Sequence, residues 1–373
     1  MSVSERIKKD VLDKLVGDIN ARLTNKSTNR VIGDVAAGEP RFELYHGSLS
    51  LCSFKCRTTL AEAGVAYTSH AVSIMPSGKA IPLNYRPEYV RLRLKGQESP
   101  QFVSGYSGAS AVGVEGFDPC VVPTLVDHGE GRVIIDSKDI CAYIDAQTGH
   151  ALIPPLQADE VNRHVDLVDQ APHVALLYGA DPAGDRRPAG LASSLMGVHG
   201  RKVRALNAVI AHIGDGEPAL LAAYTAKIAK ETAAGEFIAT PAQMATAIDN
   251  ARAHVGDLQA HLSAQSSDWV CGDSYTMADI VWTISLYRLM WLGYGDFWAA
   301  DTGNDKVADY YARAIERPSF KSAVRDWKYA HGPSDHLPDT SGGGYKAGFL
   351  LHMLTANPTL EAMFGSDIKM PKH

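Results

Sequence analysis

With 373 residues, 45% of them apolar and 21% charged, the chain is long enough for two or three domains and rich enough in apolar residues to fill their cores. Its net charge of -6 is mild and gives no basis for a nucleic-acid or membrane partner. Cys52, Cys56, Cys120, Cys141 and Cys271 are an odd and thinly spread set, and the charged start M-S-V-S-E-R-I-K-K-D holds no apolar leader, so free thiols in a cytoplasmic protein are expected.

Val3, Ile7, Val11, Leu15 and Ile19 recur at every fourth position, with Leu12 and Leu23 beside them. This spacing predicts an amphipathic helix that packs on the body of the protein. Asn25 to Pro40 is polar and contains glycine, so residues 1–40 are expected to be a helical extension and linker. From Arg41 the pattern changes. Phe42, Leu44 and His46 alternate with Glu43 and Tyr45 as in a strand, Gly47 and Ser48 break it, and a helix follows to Gly64. Val65 to Ser73 reads as a strand and Pro87 to Leu94 as a short helix. Gln97 to Pro119, rich in Ser and Gly, reads as an inserted loop, and loops of this length inside a domain are commonly functional. Thr124 to Asp127 and Arg132 to Ile135 form a hairpin about His128 to Gly131, and a capped helix follows, Lys138 to Ala146. The order over 41–150 is therefore β-α-β-α-β-β-α, that of a thioredoxin-like α/β domain.

From Ala151 helical patterns take over, and 151–327 is expected to be all-α. Helices are predicted over Val161 to Gln170, Leu191 to Ile213, Pro218 to Ile238, Thr240 to Leu262, Ile280 to Leu292 and Asp305 to Glu316. Thr276 and Asp279 form a capping box before the most apolar of them. A tail, 328–373, holds the spacer Gly342 to Gly344 and one more amphipathic helix around Lys346 to Met363.

Cys52 is the first candidate for chemistry. A lone cysteine is often core filling, but this one lies in a strand-to-helix turn between Ser50 and Ser53. Unpaired N–H groups and the helix dipole there favour a thiolate. Cys56 follows one helical turn later; C-x-x-x-C lacks the redox spacing of C-x-x-C, and Cys56 is expected to face the core. Pro123 opens a strand at the place where a thioredoxin-like order expects a cis proline, which turns the backbone of Val122 toward the site for pairing with an extended peptide. Asp136 and Ser137 cap a helix; the same pair could hold an amino-acid zwitterion, carboxylate at the helix end and ammonium at Asp136. The 14 histidines form no metal-ligand motif, and P-loop, G-x-G-x-x-G and G-x-S-x-G patterns are absent.

These elements in this order, followed by an all-helical half, resemble the glutathione S-transferase superfamily. Gly272-Asp273, Thr276 to Asp279 and Arg317-Pro318-Ser319 agree with it. C-S-F-K-C-R-T resembles its Cys-type members. S-L-C-S-F-K-C-R, N-Y-R-P-E-Y-V-R-L and V-V-P-T-L-V are similar to its glutathione-dependent reductive dehalogenases of chlorinated hydroquinones, which carry a Ser-x-Cys-Ser-x-Lys-x-Arg pattern. F-D-P-C-V-V-P-T-L-V-D-H, P-H-V-A-L-L-Y-G-A-D-P-A-G-D-R-R-P and S-L-Y-R-L-M-W-L-G-Y extend that likeness over most of Pro40 to Trp327, with Cys56 and the C-terminal tail as departures.

The resemblance implies a thioredoxin-like N-terminal domain joined to an all-α C-terminal domain. It implies Ser50, Cys52 and Ser53 as active-site residues and Val122, Pro123, Asp136 and Ser137 as the glutathione site. Glutathione is then a co-substrate, a halogenated aromatic the substrate, no metal is needed, and a homodimer is expected. The implied reaction is thioether formation on the ring, attack by Cys52 to give a mixed disulfide, and resolution by a second glutathione. Other Cys-type activities on the same fold (thiol transfer, glutathione-conjugate reduction, aryl-ether cleavage) and a non-catalytic interaction module are the alternatives. The ring pocket is expected between Cys52 and the helical half, near His173 to Tyr178.

Overall fold

A computed structural model describes residues 6–23, 30–35, 38–47, 50–76, 81–97, 100–109, 111–299 and 302–327. The expected tail helix and Ser48 lie outside the described residues.

Helix α1 (Lys9–Arg22) packs on the body as expected, but on a rotated face. Leu12, Val16, Ile19 and Leu23 are buried, while Val11, in the predicted stripe, is 39% exposed. Asn20 ties the helix to the sheet, donating to Glu43 Oε2 (3.2 Å) and accepting from the Tyr45 hydroxyl (2.8 Å). The expected linker holds a strand, β1 (Arg30–Ile32), antiparallel to β3 (Tyr67–Ala71) at the sheet edge. Three residues, with Val31 half-exposed, are too few for a readable alternation.

Strand β2 (Phe42–His46) lies at the centre, parallel to β3 and antiparallel to β4 (Thr124–Asp127), and β4 pairs with β5 (Arg132–Ile135). The order is β1-β3-β2-β4-β5. Because side chains alternate along a strand, the sheet divides two cores. Phe42, Leu44, Leu125 and Ile134 face one, with helix α2 (Leu51–Glu62) and helix α5 (Ser137–Gln147). Tyr45, Val126, Val133 and Ile135 face the other, with α1 and helix α3 (Pro87–Leu94).

The rest of the described chain is helical: α6 (Ala158–Asp169), α7 (His173–Tyr178), α8 (Ala189–Leu195), α9 (Val198–Ile213), α10 (Pro218–Ala239), α11 (Pro241–Ser263), α12 (Met277–Trp291), α13 (Asp305–Ala314) and a last turn, Pro318–Phe320, that widens over Lys321–Arg325. The helix expected over Leu191 to Ile213 is two, because Gly197 adopts φ 64, a left-handed conformation that stops α8 and restarts the chain as α9. Helix α12 is buried nearly all round, and its capping box is formed, with Thr276 N–H donating to Asp279 Oδ2 at 2.8 Å. No helix among the described residues is long and apolar enough to cross a membrane.

The insert at 97–119 is anchored. Phe102 bridges to Phe117, a four-residue helix, α4, forms at Val112–Glu115, and Phe117 and Asp118 are buried. Helix α10 closes over it: Lys227 Nζ lies 2.7 Å from Asp118 and 2.9 Å from Glu231, and Lys230 Nζ lies 2.7 Å from Glu115. Burial disfavours the Asp118 carboxylate, yet the two lysines outweigh it and hold its pKa at about 2.

Candidate active site

Helix α2 begins at Leu51 with Ser50 as N-cap: the Ser50 hydroxyl accepts the Ser53 N–H at 3.3 Å. Cys52 therefore sits in the first turn, half-buried and outside any disulfide. Ser53 is fully buried, and its hydroxyl accepts the Gly47 N–H at 3.1 Å, which fixes the turn between β2 and α2. A Cβ placed on Gly47 would lie 3.2 Å from both Ser50 Cβ and Val122 Cγ2. The missing side chain is what lets the cysteine turn and the Val122 loop meet.

The Val122–Pro123 bond is cis. Among the described residues neither the amide nor the carbonyl of Val122 has a hydrogen-bond partner, so both are open to an extended peptide. Asp136 caps α5, which packs on α2, its carboxylate accepting the Lys138 N–H at 2.8 Å. Its φ of 69 is unusual for a residue with a side chain, and such conformations cluster at binding sites. Burial, and then the nearby Asp169, push the Asp136 carboxyl up to about 6. Ser137 is buried in the first turn of α5. Ser50 and Val122 thus meet at Gly47 beside the cysteine turn, and the start of α5 packs on the helix that carries Cys52.

Two residues of the C-S-F-K-C-R stretch acquire distinct jobs. Lys55, buried, pairs with Asp169 at the end of α6, Nζ to Oδ1 3.2 Å. Burial disfavours its charge, but Asp169, Cys52 and Asp136 more than compensate and leave its pKa raised. Arg57 is buried against the opposite end of the molecule. Its Nε donates to Ala323 O (2.8 Å), its guanidinium lies over the Trp327 ring (4.3 Å), and NH1 reaches His46 Nδ1 (3.1 Å). Arginine only donates, so His46 Nδ1 accepts and Nε2–H donates to Ser69 Oγ at 2.8 Å. Burial and the Arg57 charge keep His46 neutral.

Residues 49–147 match the family model of the glutathione S-transferase N-terminal domain. Over 306 residues the chain is 46% identical to the 2,5-dichlorohydroquinone reductive dechlorinase of Sphingobium indicum, covering 81% of this chain and 87% of that one. The chain belongs to the glutathione S-transferase superfamily. It is also 28% identical over 298 residues to the tetrachloro-p-hydroquinone reductive dehalogenase of Sphingobium chlorophenolicum, covering 78% of this chain and 98% of that one. The crystal structure of beta-etherase LigF from Sphingobium sp. strain SYK-6 superposes with a TM-score of 0.50 at 17% identity over 76% of this chain and 98% of that one, a likeness of fold.

As in the sequence reading of this transferase, Cys56 is core: it is fully buried and its Sγ lies 4.0 Å from that of Cys141. Burial, then contact with Cys141, raises its pKa well above the usual thiol range. Asp169 was invisible in the sequence as a site neighbour, because only the packing of α6 on α2 reveals it. Folding also gathers Glu160, His164 and Cys271, whose ligand atoms lie within 4.8 Å of one another. The ring cannot serve a metal as it stands. The neutral ring has one lone pair, and both of its nitrogens face a donor, Nδ1 the Trp282 Nε1–H at 3.1 Å and Nε2 the Arg163 guanidinium at 2.9 Å, so whichever nitrogen carries the lone pair is not open.

Proposed function

We propose that this transferase is a glutathione-dependent reductive dehalogenase of chlorinated hydroquinones, with Cys52 as its nucleophile. The observation that carries the reading is 46% identity to a dichlorohydroquinone reductive dechlorinase over 81% of the chain. The site supports it: a half-buried thiol in the first turn of a helix, a Val122 backbone without a hydrogen-bond partner among the described residues, and a carboxylate beside a helix N-terminus at Asp136-Ser137.

Glutathione lies extended along Val122, its γ-glutamyl carboxylate at the start of α5 and its ammonium at Asp136. Its thiolate adds to the keto tautomer of the ring, and chloride leaves with the bonding pair, giving a glutathionyl thioether. Cys52 thiolate then attacks the thioether sulfur. The carbon–sulfur bond breaks, its electron pair passes to the ring carbonyl as an enolate, and protonation returns the dechlorinated quinol. Cys52 is left as a mixed disulfide with glutathione. A second glutathione thiolate attacks that disulfide, restoring Cys52 and releasing glutathione disulfide. The sum is one chlorinated quinol and two glutathiones giving one dechlorinated quinol, one glutathione disulfide and HCl. The hydroxyl of Ser50 caps the helix that carries Cys52, and that of Ser53 is committed to the Gly47 amide and holds the turn.

The test is chloride release from a panel of chlorinated quinols and phenols with glutathione in excess. The wild type should release chloride from the quinols, consuming two glutathiones per chloride. Cys52→Ser should stall after the first step and accumulate the glutathionyl conjugate, detected by mass spectrometry. Wild-type turnover by Cys52→Ser would refute the role given to the thiol.

A further inference from the structure

Helix α7 runs along the border of the site. At its start His173 is buried, and burial first, then the charges of Arg288 and of Lys55, the residue one turn after Cys52, hold its pKa well below the usual range. At its end the Tyr178 hydroxyl reaches Met75 Sδ at 3.7 Å. Met75 follows Ile74, whose Cδ1 lies 3.5 Å from the Cβ position of Gly47, where Ser50 and Val122 also meet. Cys52, Met75, Leu177 and Tyr178 are each only partly buried against the first core. Tyr178 therefore stands at the edge of the cysteine site, on the helical side.

Its mounting is unusual. Lys202 Nζ sits 4.3 Å from the Tyr178 ring centroid and 3.3 Å from its hydroxyl oxygen. The His199 ring meets the Tyr178 ring edge-on at 4.9 Å. Both supports are anchored on the buried Glu231: Lys202 Nζ at 3.3 Å and His199 Nδ1 at 2.7 Å, with Lys227 pairing the same carboxylate at 2.9 Å. An ammonium can only donate, so Lys202 occupies a lone pair of the Tyr178 oxygen. The hydroxyl proton is left for the sulfur of Met75, a weak acceptor. A buried ionic cluster thus fixes and polarises one phenolic O–H and leaves it facing a thioether.

We propose that Tyr178 donates this hydrogen bond to a ring oxygen of the quinol, and that Lys202 is its positioning residue. The proposal rests on the dehalogenase reading. In both displacement steps charge develops on a ring oxygen: thiolate addition to the keto tautomer makes an enolate, and attack on the thioether sulfur expels one. A fixed donor at that oxygen lowers both barriers, and it is already oriented before the reaction begins. The same donor selects for rings that carry an oxygen.

The experiment uses the full chain saturated with glutathione. Wild type and Tyr178→Phe are titrated with 2,5-dichlorohydroquinone and with 1,4-dichlorobenzene, which has the same apolar body and no ring oxygen. Tyr178→Phe should weaken quinol binding about tenfold and leave the dichlorobenzene and glutathione affinities within about twofold. Chloride release should fall about 100-fold, mainly in kcat, as for loss of one oxyanion donor. Lys202→Arg should retain more of that rate than Lys202→Met at equal glutathione affinity. Unchanged quinol binding and turnover in Tyr178→Phe, or equal losses for quinol and dichlorobenzene, would overturn the proposal. Should the wild type release no halide from any quinol, the dehalogenase reading fails on its own. The two binding titrations then decide the role of Tyr178: a quinol-selective loss sustains it and equal affinities overturn it.

Discussion

Replacing Asp136 by Asn should make the protein more stable and its glutathione site weaker. The Asp136 carboxyl is pushed from 3.8 up to about 6, by burial first and then by Asp169, against the opposing pull of the Lys138 amide and Lys55. A raised acid favours the folded state while it is protonated. That contribution is complete below the unfolded value and is lost as pH rises through about 6, so at pH 7.5 the carboxylate costs about 2–3 kcal/mol. Asn keeps what the fold needs, since it caps a helix as well as Asp and tolerates positive φ. Asp136→Asn should thus gain on the order of 2 kcal/mol in urea denaturation at pH 7.5 and nothing at pH 4. Glutathione binding should run the other way, because its ammonium needs the carboxylate. By calorimetry, wild-type affinity should be full above pH 7 and fall by up to about tenfold per pH unit below 6. In Asp136→Asn it should be weaker and flat with pH. A wild-type profile that is flat from pH 5 to 7.5, or a variant less stable than wild type at pH 7.5, would refute the reasoning.

Lys55→Met should destabilise by about 3–5 kcal/mol in urea denaturation, since Asp169 would lose its partner in a buried setting beside Asp136; Lys55→Met/Asp169→Asn should recover part of it. The single variant should also move the pH midpoint of glutathione binding upward, because Lys55 is one of the charges that lower the Asp136 pKa. Gly47→Ala should fold with a change below about 2 kcal/mol, as its neighbours need yield only slightly, yet lose about tenfold in kcat/KM for chloride release, because the atoms that yield belong to Ser50 and Val122.

The elements around the thiol were readable because their signals are local. Pro87–Leu94 came out to the residue, since proline at its first position and apolar spacing both act within a few residues. Ser50, Asp136 and Thr276 were legible as caps for the same reason. What was missed depends on distant partners. Strand β1 exists only because Tyr67–Ser69 offers it an edge, and α1 turned its face to meet the sheet. The break at Gly197 was a single residue in an otherwise helical pattern. In the site, Cys52 and the Val122-Pro123 and Asp136-Ser137 pairs were visible as motifs, whereas Asp169 and the Glu231-centred support of Tyr178 become neighbours only after folding. Arg57, five residues after Cys52, is spent on a carbonyl 266 residues away.

That last bond has a consequence for how the molecule is made. The cysteine turn precedes the helical half in synthesis, so the guanidinium behind it finds Ala323 and Trp327 only once the helical half has been made. Until then Arg57 lacks these two contacts and keeps those to His46 and Gly47 in the sheet half. The cysteine turn thereby gains its full support only after residues 323–327 are in place, so a chain that stops short of them carries Cys52 without its complete scaffold.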